Sequence, residues 1–477
     1  MHFLDILIFT LYMLAVIGIG FWFLLKNKGV DDYYVGGRNI GSWHIGLSVV
    51  ATDVGGGFSI GLGGLGFVMG LAGSWMLFTG LVGAWLSAVL LIPRIKAIEK
   101  FKKFYTFPQI LGHFYSPRVA LLAGIISGIG YLGFTSSQIL AGAKLASATF
   151  VELDMQTALI IMGLIVIVYT AMGGIKAVIY TDTIQWIILM VGLIFVGIPV
   201  AYYSIGGIVA IREVLPSEFF SLTNISWQQI VYWVVTIIPI WFVGMTLYQR
   251  IYASRNKQQA QKAWIIAGFF EYPIMAFMGV TLGLFARVAF EQGMFTELGF
   301  APGELMDEEK GLPLLLRTVL PVGLMGLMMA AYFSAIMSTA DSCLMASSGN
   351  FITDIFGRWL KVPESKKTFL LISQGFTVIL GVLALLLASV MPNVLELMLY
   401  SYAFMVSGLF VPVLGGLFLK KASPVAAFWA MLLGGGTTIS LIVSQKQLPL
   451  QLDANIFGIT LSLLTFVMIN AWHKYQK

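Results

Sequence analysis

The stretch Ala51-Thr-Asp-Val-Gly-Gly-Gly-Phe-Ser-Ile-Gly-Leu-Gly-Gly64 puts a carboxylate and three consecutive glycines inside an otherwise apolar run. A helix is expected there, and a charge there is expensive. Glycine lowers helix stability and lets the backbone open without steric cost, so the run predicts a membrane helix that breaks at Gly55-Gly56-Gly57. Non-helical backbone at membrane depth is tolerated only where it is buried in protein or lines a watery cavity. The carbonyls freed beside Asp53 are oxygen donors of the kind hard cations prefer, and the carboxylate lowers the cost of dehydrating the ion. A cation site on a broken helix is the expectation.

The rest of the chain supplies the membrane. Of 477 residues, 58% are hydrophobic and 10% charged, with a mean hydropathy of +0.90; a soluble chain carries about a quarter charged residues. Apolar runs of membrane-spanning length fall at 3–25, 45–70, 75–93, 119–149, 155–172, 183–203, 229–247, 263–287, 314–348, 369–390, 394–419, 424–444 and 454–472, giving an all-α membrane protein of about thirteen transmembrane helices. The first run contains Asp5, lacks a basic start and is followed by Lys26 and Lys28, so it reads as a retained span and not a signal peptide. The single cysteine, Cys343, excludes an intrachain disulfide and reads as a small buried hydrophobe.

The net charge of +6 does not point to nucleic acid, because its placement follows the bilayer. Alternating loops put 22 of the 28 Lys and Arg residues on one side, which the positive-inside rule makes cytoplasmic. The N-terminus is then outside and the C-terminus inside, in a cell membrane expected to be a bacterial inner membrane. The acidic loop 291–310 falls outside. Glycine runs without a following Lys-Ser/Thr exclude a phosphate loop, so no nucleotide is expected. His2, His44, His113 and His473 lack zinc-ligand spacing, and no serine sits in Gly-X-Ser-X-Gly; no enzymatic activity is expected.

No linker or soluble segment interrupts the spans, so residues 1–477 read as a single transmembrane transporter domain. A second break is expected in the seventh span, where Pro239 precedes Trp241–Thr246 with Gly244 inside. Glycine and proline are common in membrane helices, but these two breaks lie five spans apart, and an odd spacing reverses the direction of crossing. That predicts inverted repeats over 44–203 and 228–419, an extra helix and loop at 1–43, and two C-terminal helices at 420–477.

In the ninth span, Phe333-Ser-Ala-Ile-Met-Ser-Thr-Ala-Asp-Ser-Cys-Leu-Met-Ala-Ser-Ser348 places Ala335, Ser338, Thr339 and Ser342 on one helical face. Asp341 extends this oxygen-rich strip, which suits a cation. Asp53 is assigned to ion or substrate binding. Glu271 and Glu396 read as interhelical polar contacts, and Lys144, Arg287 and Arg317 as side chains snorkelling to the interface. Candidate solute-lining residues are Gly55, Gly56 and Phe58 on the broken span, Tyr131, Phe134, Thr135 and Gln138 on the fourth, and Trp241, Phe242 and Met245 on the seventh; aromatic rings there suit a cationic or ring-shaped solute.

Together with Asp32-Tyr-Tyr-Val-Gly-Gly-Arg38, Gly173-Gly-Ile-Lys-Ala-Val-Ile-Tyr-Thr-Asp182, Gln185, Gln249-Arg250, Ala253-Ser-Arg255 and Met337-Ser-Thr-Ala-Asp-Ser342, these blocks resemble the sodium/solute symporter family, which carries proline, pantothenate, sialic acid, sugars and choline. The resemblance covers nearly the whole chain. It implies a leucine-transporter-like 5+5 inverted repeat with a broken first helix in each repeat. It implies a shared sodium site from the carbonyls of Ala51, Val54 and Ala335 with the hydroxyls of Ser338 and Thr339. A second sodium site, found in some members, would fall on Asp182, Asp341 and Ser342; sialic acid carriers have serine where this chain has Asp341. Choline carriers share the Gly-Gly-Gly-Phe and Ala-Asp-Ser blocks but have tryptophan in place of Asp53. The function implied is Na⁺-coupled symport of a small organic solute by alternating access, each inward cation contributing about 2.3 kcal/mol per 100 mV. A proton-coupled carrier and a non-transporting solute sensor are the alternatives.

Overall fold

The computed structural model describes residues 2–26, 35–150, 152–172, 175–356 and 366–475, with the side chains of residues 20, 23–26, 54, 57, 58, 171, 172, 177, 366–370, 474 and 475 left outside the description. The described residues form no strand; their one β-type contact is the isolated bridge between Ile40 and Ser254. The long helices are α1 (Phe3–Lys26), α2 (Ser42–Met69), α3 (Trp75–Leu90), α4 (Pro117–Thr149), α5 (Met155–Met172) and α6 (Ile175–Gly192). After a polar connection come α7 (Trp227–Val243), α8 (Met245–Ala253), α9 (Lys257–Phe269) and α10 (Ala276–Glu291). The chain finishes with α11 (Leu324–Gly349), α12 (Lys366–Val390), α13 (Val394–Phe418), α14 (Pro424–Ser444) and α15 (Ala454–Tyr475). Among the described residues, nine helices are long and apolar enough to cross a membrane, and ten when the bent pair α7–α8 counts as one span.

Local chemistry sets the helix starts. Ser116 accepts from the Val119 N–H with Pro117 in the first turn of α4, and Ser423 accepts from the Ala426 N–H with Pro424 in the first turn of α14. A hydroxyl oxygen satisfies an otherwise orphan N–H, and proline lacks the N–H that would need one. The caps also reach across helices. Asp5 of α1 accepts from Gly323 and Gly326 N–H groups at 2.6 and 2.9 Å, tethering α1 to the start of α11. Glu309 accepts from Val394 and Leu395 N–H groups, both at 2.9 Å, at the start of α13.

The expected run 314–348 is not one helix. A short helix, Gly311–Val319, ends there, and α11 begins only at Leu324, behind Pro321 and Gly323, whose φ is +87°. Proline and a positive-φ glycine divide a segment that hydropathy alone reads as continuous. α11 is buried along nearly its whole length and packs against α1, α2, α4 and α6. Leu11 on α1, Val382 on α12 and Leu464 on α15 are exposed, giving the apolar periphery that lipid requires.

Candidate sodium and solute site

The break in α2 is one residue long. Gly55 has φ +35° and ψ −164°, a combination essentially reserved to glycine, and helix continues on both sides. A Cβ at Gly55 would lie 2.7 Å from Thr339 Oγ1, and one at Gly56 would lie 2.1 Å from Ile336 Cγ1, so the break rests directly on α11. The Thr339 hydroxyl donates to the Ala51 carbonyl at 3.0 Å, and the Ala335 carbonyl lies 3.1 Å from the same oxygen. Three oxygens of the expected sodium set, from Ala51, Ala335 and Thr339, therefore meet at one point. The side chains of Val54 and Phe58 lie outside the description, as do residues 32–34, 173 and 174 of the motifs quoted above.

The second break falls within the expected stretch, at its glycine and not at its proline. α7 runs through Pro239 to Val243, and the chain turns by 43° at Gly244, which has φ −67° and ψ 114°. Proline removes only its own hydrogen bond; it is the extended ψ at Gly244 that ends the ladder. α4 braces both breaks. Gln138 Oε1 accepts the Gly56 N–H at 3.1 Å, and the Tyr131 hydroxyl accepts the Thr246 N–H at 3.1 Å while lying 3.0 Å from Thr246 Oγ1. Both N–H groups follow a break and have lost their helical acceptors. Tyr131 and Gln138 stand two helical turns apart on one face, which is how one helix serves two breaks.

Other expected solute residues divide. Phe134 packs edge-on against Tyr402 at 5.1 Å between centroids, near Asp53, whose Oδ1 is 3.5 Å from the Tyr402 hydroxyl. Trp241 is fully buried against Trp264 and Gly83, Phe242 packs on Phe410, and Met245 Sδ accepts the Phe107 N–H at 3.1 Å. These last three are held by protein packing.

Beside the break lies a polar centre that loop counting missed. Arg250, placed by hydropathy among the cytoplasmic loop charges, is fully buried. Its guanidinium donates to Asp182 Oδ2 at 3.3 Å, Ser342 Oγ at 3.2 Å, Ser48 Oγ at 3.0 Å, the Thr246 carbonyl at 3.2 Å, and Thr52 Oγ1. Asp182 also accepts from the Ser48 and Ser338 hydroxyls. Ser338, Asp182 and Ser342 are thus brought together around a fixed cation, whereas Asp341 turns to α5 and accepts from Thr170. Asp182, Ser338 and Ser342 were expected as sodium ligands, but of the role of Arg250 the Gln249-Arg250 pair was the one trace in the sequence. Lys144, expected to snorkel, instead pairs with Asp307 at 2.7 Å and Glu309 at 2.6 Å.

The two ends of α2 differ in charge. Near its start, a cavity of about 460 Å³ is lined by Arg38, Lys96, Lys100, Lys103, Arg255 and Lys257, with Glu99 the only acid. Beside its second half, a cavity of about 340 Å³ runs between α2, α7 and α13 and is lined by Glu308, Glu396 and Asp453. Burial, with the Glu396 charge adding to it, holds the Asp453 carboxyl above the usual range.

A broken membrane helix whose carbonyls meet the hydroxyls of a buried neighbour defines a cation-coupled carrier. A family model, that of the sodium:solute symporter family, matches residues 33–434, and the chain belongs to this family; sodium-coupled solute symport is its activity, with Na⁺ as the coupling ion. Sodium/glucose cotransporter 1 of Oryctolagus cuniculus is 25% identical over 92% of this chain and 72% of its own length. Sodium/myo-inositol cotransporter 2 of the same species is 26% identical over 90% and 68%, and the sodium/glucose cotransporter of Vibrio parahaemolyticus is 25% identical over 95% and 87%. The fold is shared with a Na⁺-coupled sialic acid symporter solved in a substrate-bound outward-open state: TM-score 0.80, 21% identity, covering 99% of this chain and 98% of that one. It is shared more distantly with a nucleobase-cation-symport-1 family transporter in a closed conformation, at TM-score 0.58, 13% identity and coverages of 92% and 94%.

Proposed function

We propose that this chain imports a small organic solute by alternating access, driven by a single Na⁺ held by Ala51, Val54, Ala335, Ser338 and Thr339. The observation that carries this reading is the meeting of the Ala51 and Ala335 carbonyls on the Thr339 hydroxyl, beside the break at Gly55. One ion is proposed because the carboxylate of the second set, Asp182, already has Arg250 as its counter-charge. A fixed guanidinium supplies there the positive charge that a second sodium would bring.

Thirteen crossings arranged as repeats 44–203 and 228–419 go with this mechanism, since the breaks at Gly55 and Gly244 each fall in the first helix of a proposed repeat. Rocking one repeat against the other about those breaks exposes the site to either side. The acidic cavity and the basic cavity support an orientation in a bacterial inner membrane with the basic end of α2 cytoplasmic. A proton-coupled carrier and a sensor are not favoured by these relatives. Reconstituted proteoliposomes test the proposal by counterflow of a solute found in a binding screen. Accumulation in Na⁺ but not in K⁺ is expected; binding without accumulation, or accumulation driven by a pH gradient alone, would overturn it.

A further inference from the structure

Asp53 and Glu271 come from different elements and meet in the core. Asp53 lies two residues before the break in α2. Glu271 lies in the π-turn Phe270–Met275 between α9 and α10, where Tyr272 leaves helical geometry at φ −139° and ψ 121°. Asp53 is 5% exposed and Glu271 0%. The turn packs against α2, which brings the two buried acids to neighbouring elements.

Asp53 Oδ2 and both Glu271 oxygens have no hydrogen-bond partner among the described residues. The Glu271 carboxylate rests against α3 at Gly80, where a Cβ would come within 2.2 Å of Oε2. The nearest buried cation described above, Arg250, is committed to Asp182 and its hydroxyl neighbours. Buried acceptors are almost always satisfied, so three orphan oxygens on two acids point to donors that a ligand brings. The rings of Phe134 and Tyr402 stand beside Asp53. Independently, the outer cavity that borders α2 from Gly61 onward is lined by Glu308, Glu309, Glu396 and Asp453, with Lys144 paired to Glu309 behind it and no lysine or arginine among the described lining residues.

We propose that the transported solute carries a protonated amine with free N–H groups, bound by the Asp53–Glu271 pair. This rests on the symporter reading and names the substrate class of its site. The acidic outer cavity concentrates cations at the entrance, the two buried carboxyl groups supply the acceptors an ammonium requires, and its N–H groups satisfy the orphan oxygens. A quaternary ammonium has no N–H to give and leaves those oxygens unpaired; a neutral polyol brings donors but no charge.

The test is a thermal-shift series on the purified full chain, in NaCl and in KCl. The ligands are ethanolamine, its N-methyl and N,N-dimethyl homologues, choline, putrescine, alanine, glucose and myo-inositol. The expected result is stabilisation in NaCl by at least one N–H-bearing amine, falling with each added methyl group and absent for choline, with Glu271→Gln weakening the best amine by about tenfold or more. Choline or a sugar binding as well as any amine overturns the proposal, as does Na⁺ stabilising the protein while no amine on the panel does. Because the methylation series uses the unmodified chain, it decides even if the Gln variant fails to fold. An amine shift equal in NaCl and KCl supports the amine subsite and counts instead against sodium coupling.

Discussion

Arg250 shows how far one residue can stand from its sequence signature. Seven residues from Lys257 and five from Arg255, it looks like one more cytoplasmic charge, yet it is the fully buried hub of the polar centre. Position along a hydropathy profile cannot say that the α8 backbone has turned inward at Gly244. Arg250→Met leaves Asp182 buried without its counter-charge and is expected to cost about 3–5 kcal/mol, read as a loss of thermal stability in detergent. Arg250→Met combined with Asp182→Asn is expected to recover most of that loss; two additive losses would contradict the pairing. Asp53, Ser338 and Thr339 were legible because carboxylates and clustered hydroxyls inside apolar runs are rare; Asp182, just outside the run 183–203, came from the family resemblance alone. The bracing role of Tyr131 and Gln138 was not, because it depends on N–H groups that only the broken backbone frees.

At the scale of elements, the triple glycine announced the break in α2, but not that it would be confined to Gly55. The second break was expected over Pro239–Thr246 and lies at Gly244 within it, not at the proline; a proline costs one hydrogen bond, and packed neighbours let the helix absorb that loss. The run 314–348 was read as one span because hydropathy does not register a Pro321–Gly323 turn. Gly55→Ala tests the break itself. Alanine must adopt a φ near +35° with its Cβ 2.7 Å from Thr339 Oγ1, so a loss of about 1–3 kcal/mol is expected. Stabilisation by Na⁺ should be lost with it. A variant with wild-type stability and an intact Na⁺ response would show that the break is not needed.

For the whole molecule, the proposed orientation is supported by charge: α2 runs from a basic cavity to an acidic one, the same asymmetry on which the loop count rests. Cys343 is buried, so introduced cysteines can report topology. Glu304→Cys should label in intact cells and Lys421→Cys only after permeabilisation; the reverse would invert the molecule. The account as a whole depends on a sodium ion held between α2 and α11, and equilibrium binding of radioactive Na⁺ to the purified protein, beside Thr339→Val, tests this most directly. We expect one saturable Na⁺ per wild-type chain, and affinity weaker by about tenfold or more when the Thr339 hydroxyl is replaced by a methyl group of similar shape. Two saturable sodium ions per chain, or unchanged binding in Thr339→Val, would contradict it.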